Sequence, residues 1–156
     1  MATTKTGYCN GSDMLVLVNG KAVGHCTSHT TTCTSETKER AVKPVQTASI
    51  ASGLWKGKGI VGQSISVSAE GLGFYNEAEF GYASLLAAWK EGKSVELQCI
   101  ERENDTKPYL KGMFVIASLE RTDPAQDDAT YSVSFENDGE PEVLDATVLT
   151  QGGVGA

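Results

Sequence analysis

The chain has no run of about 18 apolar residues, so nothing in it reads as a helix that spans a bilayer. Its N-terminal Met-Ala-Thr-Thr-Lys-Thr-Gly-Tyr has no apolar signal core, which gives the expectation of a protein made and kept in a cytoplasm-like compartment. On that expectation the N-x-S/T patterns at Asn10 and Asn104 carry no weight as glycosylation sites. Basic charge is short: 13 Lys and Arg stand against 20 Asp and Glu, a formal net charge of −7. That is the wrong sign for gripping nucleic acid through its phosphates, although an acidic wall suits DNA that must pass without sticking. Cysteine is also sparse. Cys9, Cys26, Cys33 and Cys99 are too unevenly spaced for a disulfide framework. Cys26 and Cys33 fall in one expected strand, facing opposite ways roughly 23 Å apart, so they cannot bridge unless the strand breaks between them.

Helical periodicity is confined to residues 80–91, where Tyr82, Leu85, Leu86 and Trp89 make an i, i+3, i+4, i+7 stripe. Asn76 with Glu79 has the form of a capping box, and Gly92-Lys93 supplies a left-handed stop. The helix reads either as a cover for a β-structure or as a surface presenting Trp89 to a partner. The remainder reads as short strands, and 156 residues suffice for one domain with its own core. Met14 to Val18 runs into Asn19-Gly20, a strong hairpin signal, with a Thr-rich return strand from Lys21 to about Cys33. Residues 63–70 set Ile65, Val67 and Ala69 against Ser64, Ser66, Ser68 and Glu70. Residues 94–101 set Val95, Leu97 and Cys99 against Glu96 and Gln98. Residues 109–119 carry apolar groups on both faces. After an acidic turn at 123–128, residues 129–136 set Tyr131, Val133 and Phe135 against Thr130, Ser132, Ser134 and Glu136. Residues 143–149 form a possible last strand, and 152–156 are expected to fray. The polar faces at 63–70, 94–101 and 129–136 hold small hydroxyls, amide and carboxylates with no basic residue, which fits either an ordinary solvent face or the wall of a lumen. Residues 35–62 read as a long irregular loop, which needs another surface if Trp55 is to be buried.

Sites for chemistry are poorly supported. Gly57-Lys-Gly-Ile-Val-Gly62 satisfies G-x-G-x-x-G but leads into a strand, where phosphate binding needs a helix N-terminus. His25, His29 and Cys33 share a strand face, yet neighbours four apart are about 13 Å from each other, too far to share a zinc ion. Cys99 falls on an apolar face, where a thiol is packing rather than a nucleophile. Asp123, Asp127 and Asp128 lie in a turn with no apolar pocket to raise a pKa, and calcium there is a weak option. No catalytic, cofactor or metal residues are assigned.

The run Lys111-Gly-Met-Phe-Val-Ile-Ala-Ser-Leu-Glu120, its acidic turn and Ala129-Thr-Tyr-Ser-Val-Ser-Phe-Glu136 resemble the C-terminal hairpin of siphophage major tail tube proteins. The segments 14–23, 25–38, Gly81-Tyr82, Leu85-Leu86 and Gly92-Lys93 are similar to that family's other segments in the same order, covering about residues 13–137. The resemblance implies a mainly β fold: a β-sandwich or barrel of two packed antiparallel sheets with one flanking α-helix. Its inner sheet would join neighbours in a hexameric ring. It makes Ser64, Ser66, Ser68, Glu70, Glu96, Gln98, Thr130, Ser132, Ser134 and Glu136 candidates for a lumen. It makes Glu36, Lys38, Arg40, Trp55, Lys56, Val143 and Leu144 candidates for contacts between subunits. Residues 1–12 become a flexible arm, 13–137 the tube domain with a 34–62 inter-subunit loop, and 138–156 a C-terminal extension.

The implied function is a self-assembling structural virion protein, made in the host bacterial cytoplasm, whose stacked rings form the conduit for genome delivery. A tape-measure protein would occupy the lumen and terminator and distal tail or baseplate proteins the ends. Double-stranded DNA would transit without specific binding, and no membrane is implied. The inner tube of a contractile injection machine is the related alternative. A small acidic β-sandwich enzyme or carbohydrate-binding module is the distant one, with only Trp55, Trp89 and Tyr109 to begin a site.

Overall fold

Alternating apolar residues drive the strands, and the computed structural model describes residues 2–4, 7–41, 55–75, 80–102 and 106–154. In chain order the elements are β1 (Ala2–Thr4), a 3-10 turn (Gly11–Asp13), β2 (Met14–Val18), β3 (Lys21–Ala22), β4 (Cys26–Arg40) and β5 (Gly57–Leu72). Then come α1 (Tyr82–Glu91), β6 (Val95–Glu101), β7 (Leu110–Thr122), β8 (Thr130–Asn137), β9 (Val143–Leu144), a 3-10 turn (Ala146–Thr150) and β10 (Gln151–Val154). One antiparallel path runs β3-β2-β6-β7-β8-β5-β4, with β9 added to β7; β1 and β10 pair separately.

β7 turns this path into two layers. Its first part, to Phe114, pairs with β6, and its second part, from Phe114 to Thr122, pairs with β8. The inward residues of β2 and β6 therefore meet those of β5 and β8, and Val18, Leu97, Phe114, Val67 and Phe135 share one core. Cys99 on β6 reaches the Thr31 side chain on β4, at the far end of the path, so the layers lie face to face. The sandwich is as expected, but its two sheets share a strand rather than standing apart. Burying a Phe or Leu in it contributes about 1.5–3 kcal/mol per side chain.

Asn19 and Gly20 take positive φ, 51° and 83°, as the two-residue hairpin requires. The return strand is shorter than its composition suggests. Val23 leaves β3 to bridge Phe80, His25 adopts φ 47°, and the chain re-enters the sheet only at Cys26. His25 thus stands outside the strand that was to align it with His29 and Cys33.

Helix α1 begins at Tyr82 with Gly81 as its cap and no side-chain capping bond; Asn76 and Glu79 lie outside the described residues. Gly92, at φ 70°, closes it by donating to the carbonyls of Ala88 and Trp89. Tyr82, Leu85 and Ala88 face the core, with the Tyr82 ring 6.3 Å from that of Tyr131 and the Arg121 guanidinium over its face. The predicted stripe is cut in two by this geometry. Leu86 and Trp89 stay 42% and 53% exposed because the sheet lies under the 82/85/88 line.

The largest departure is at 34–62. β4 and β5 pair continuously from Ser35 opposite Gln63 to Arg40 opposite Gly57, with a bulge after Glu36, so both flanks of the expected loop are strand. Residues 42–54 lie outside the described residues. At the termini, the expected arm and the expected fraying segment contain β1 and β10, which pair with each other, and the last predicted strand shrinks to Val143–Leu144 on β7.

Candidate functional site

In an antiparallel sheet, residues directly opposite each other share a face. Ser68 stands opposite Thr30 on one side and Ser134 on the other, and Ser134 stands opposite Ser118. The same rows continue through Ser66 with Thr32 and Glu136, and through Glu70 with Ser28, Ser132 and Glu120. The outward face of the β4-β5-β8-β7 layer is therefore a field of serine and threonine hydroxyls with three carboxylates, Glu70, Glu120 and Glu136. Ser132 donates to a Glu120 oxygen across it at 3.5 Å. No lysine or arginine falls in these rows. Arg121, next to Glu120, stands opposite the inward residue Tyr131 instead and pairs with Asp123 at 3.0 Å.

Eight of the ten lumen candidates, Ser64, Ser66, Ser68, Glu70, Thr130, Ser132, Ser134 and Glu136, come together on this face. Glu96 and Gln98 do not. They lie on the outer face of the other layer, where the Gln98 amide donates to Glu96 at 2.7 Å and Lys111 approaches Glu96 at 3.7 Å. Periodicity gave their polarity correctly, but the fold at β7 turned their strand to the opposite side. Sequence reasoning missed Ser28, Thr30, Thr32 and Thr34 on β4 and Ser118 and Glu120 on β7. The first set lies in a run polar at every position, so no alternation marks a face; the second follows a bulge between Ile116 and Ser118 that breaks the period.

Two edges of the layer lack partners among the described residues. β4 pairs only with β5, and β7 beyond Phe114 pairs only with β8. Both are long edges of a kind that isolated soluble proteins cover or charge. Beyond them the ribbon of 35–40 and 57–62 reaches roughly 20 Å past the body, at about 3.3 Å per residue. It carries most of the inter-subunit candidates. Lys56 pairs with Glu39 at 3.6 Å, the Arg40 guanidinium lies over Gly59, Glu36 lies over Gly62, and Lys38 stands opposite Gly59. Trp55 is 87% exposed, and Ile60 and Val61 are exposed beside it. Val143 is half-buried and Leu144 exposed on β9. A cleft of about 770 Å³ opens between the ribbon's base and residues 137–144, with Ser64, Ile65, Pro141 and Leu144 in its walls.

Burial sets the notable titrations inside the body. The Cys99 thiol is pushed up to about 11, and burial lowers His29. Among the described residues no three His, Cys, Asp or Glu side chains group as metal ligands would, and no helix is long and apolar enough to cross a membrane.

A layer with one cation-free polar face, two open edges and a projecting ribbon is the design of a self-assembling structural subunit. The chain belongs to the phage tail tube protein family, whose model matches residues 8–143. Its fold is similar to a chain of the virion of a native gene transfer agent particle, with 18% identity and a TM-score of 0.67 over 86% of this chain and 97% of that one. A chain from the tail of an empty gene transfer agent particle, refined with C6 symmetry, gives 18% identity and 0.65 over 87% and 98%. The SPP1 tail tube gives 20% identity and 0.52 over 86% and 80%. No curated protein matches in sequence. The chain is a structural, non-catalytic component of the phage virion tail, a subunit of the tube through which the genome is delivered.

Proposed function

We propose that six copies close into a ring through the open edges of β4 and β7, with the hydroxyl face lining the bore, and that rings stack into the tube. The observation that carries this reading is a single face, free of lysine and arginine, flanked on both sides by edges that are unpaired among the described residues. Strand direction supports it. The order β7-β8-β5-β4 alternates in direction, so the β4 edge of one copy runs antiparallel to the β7 edge of the next and every junction repeats the pairing used inside the subunit. Six such layers make a barrel of about 24 strands, and at about 4.8 Å per strand its backbone circle is about 37 Å across before tilt widens it. Short hydroxyl side chains leave most of that width open to a DNA duplex.

On this reading the bore carries about three carboxylates per copy, roughly eighteen per ring, and no cations, so it repels phosphates along its whole length. Glu96 and Gln98 face away from it. Residues 13–137 form the tube domain, and the ribbon, the arm at 1–12 and the extension at 138–156 serve contacts between subunits and rings. A tape-measure protein fills the bore before DNA, and terminator and distal tail proteins close the ends. Reversing Glu70 and Glu136 to lysine tests the face: tubes should form normally while DNA delivery slows or stalls. Unchanged infectivity of that variant would remove the face from the bore.

A further inference from the structure

The cover on the inward side of the hydroxyl-bearing layer does not match the layer's outline. At the β4 edge the cover falls short: Ile65 is buried, but Cys33, opposite it on β4, is exposed. At the β7 edge it overhangs. Helix α1 packs chiefly on β7, and beside its core-facing line it carries the exposed Leu86 and Trp89. Lys90 and Lys93 follow Trp89 at the end of the helix with a single carboxylate, Glu91, between them, and all three are exposed. The short side holds a recess of the complementary kind. The cleft of about 770 Å³ at the base of the ribbon is lined by Cys33, Ile65, Pro141 and Leu144 and by the exposed carboxylates Glu140 and Glu142. No residue of the same copy's α1 lines it. A concave apolar site of this size with a few charged groups is the form of a binding pocket.

We infer that Trp89 and Leu86 of one copy seat in this cleft of the next copy in the same ring, and that the seat sets the register of the ring junction. The inference rests on the ring reading above. There β7 of one copy meets β4 of the next; α1 lies along the first edge and the cleft adjoins the second, so joining the edges brings helix and cleft to one junction. Charge agrees with this. Two lysines arrive at two glutamates, and Lys111, 3.9 Å from Glu142, leaves the cleft acidic. Shape agrees as well, since a tryptophan seated in an apolar pocket is the usual anchor of a protein interface. Knob and hole are different surfaces of one chain, so the contact repeats from copy to copy until the ring closes. Strand pairing alone leaves the junction loosely specified, because β4 is polar on both faces and such strands slip. A slip along β4 would draw Trp89 out of its cleft.

The test uses purified full-length protein, electron microscopy of rings and chemical crosslinking. Trp89→Ala should raise the protein concentration at which rings appear about tenfold, while the subunit's unfolding midpoint stays at the wild-type value. Lys90→Cys treated with a short bis-maleimide should link copies into a ladder ending at six, and adding Cys33→Ser should abolish that ladder although Cys9 and Cys26 remain. That pair of results would establish the seat. Rings of Trp89→Ala at the wild-type concentration, or a ladder that persists without Cys33, would overturn it while leaving the ring reading in place. Trp89→Ala rings that form normally but fail to stack would also overturn it, by moving the helix face to a contact between rings. Wild-type protein that forms neither rings nor tubes would bring down the ring reading and this contact together.

Discussion

The two halves of the β4–β5 hairpin are one ladder with two different supports. In the half that lies in the body, Ile65, Val67 and Ala69 point into the core and alternate with Ser66, Ser68 and Glu70 outside. Burial fixes that half, and a slip by one residue would put every serine in the core. The projecting half has Gly57, Gly59 and Gly62 in β5 and no buried residue in either strand. Among the described residues, backbone pairing and exposed ion pairs at Glu39 hold it within the subunit, and such ion pairs are worth little in water. Continuous hydrogen bonding therefore does not imply uniform stability. The body has a core of its own, and the ribbon, among its described residues, has none.

The sharpest way to break this contrast is to damage each half separately. Phe135→Ala empties a fully buried site opposite Val67 and should cost about 3–5 kcal/mol, read by chemical denaturation of the subunit. Trp55→Ala should change the isolated subunit's stability by no more than about 0.5 kcal/mol while reducing tube growth. A large loss of subunit stability on Trp55→Ala would mean that the ribbon is held by its own copy.

The contrast can be sharpened by pH, because burial perturbs groups in the body. Cys99 keeps its proton to about pH 11 in the folded protein against an ordinary value of 9.0. A raised pKa gives stability that is whole below pH 9 and declines as pH rises towards 11, by at most about 3 kcal/mol. Cys99→Ala should flatten that alkaline decline. The smallest effect is at His29, half-buried on the inward side of β4, where burial lowers the pKa. Its contribution is present above its ordinary pH of 6.5 and lost as pH falls through the lowered value, and His29→Gln should remove that slight acid slope. An equal acid slope in the variant would assign it to carboxylates.

Where one face is buried, the sequence was readable. Residues 63–70 and 129–136 announce both strands and the face each turns inward, since a period of two in apolar residues is itself the record of a core. The Asn19-Gly20 turn was equally plain, because its two positive φ values demand those residues. The ribbon was not readable: a ladder whose side chains touch only water has no apolar period, and its glycines look like loop. The pairing of Glu96 and Gln98 with the wrong face has a different cause. Alternation says that a residue points outward but not to which of two outsides, and that was decided by where β7 exchanges partners at Phe114. The helix shows the same limit, since its period located α1 but could not show that Leu86 and Trp89 stand beyond the edge of what it covers.

The serine and threonine rows have a consequence for movement. A hydroxyl donates one hydrogen bond, accepts two and rotates freely, so each site can bind water in several orientations of nearly equal energy. If the face lines the bore as proposed, a carpet of such sites would hold a hydration film whose molecules exchange partners without a preferred position. A polymer sliding past it would then meet lubricant instead of a lattice of sticking points, along a wall with no landmark at which motion would pause.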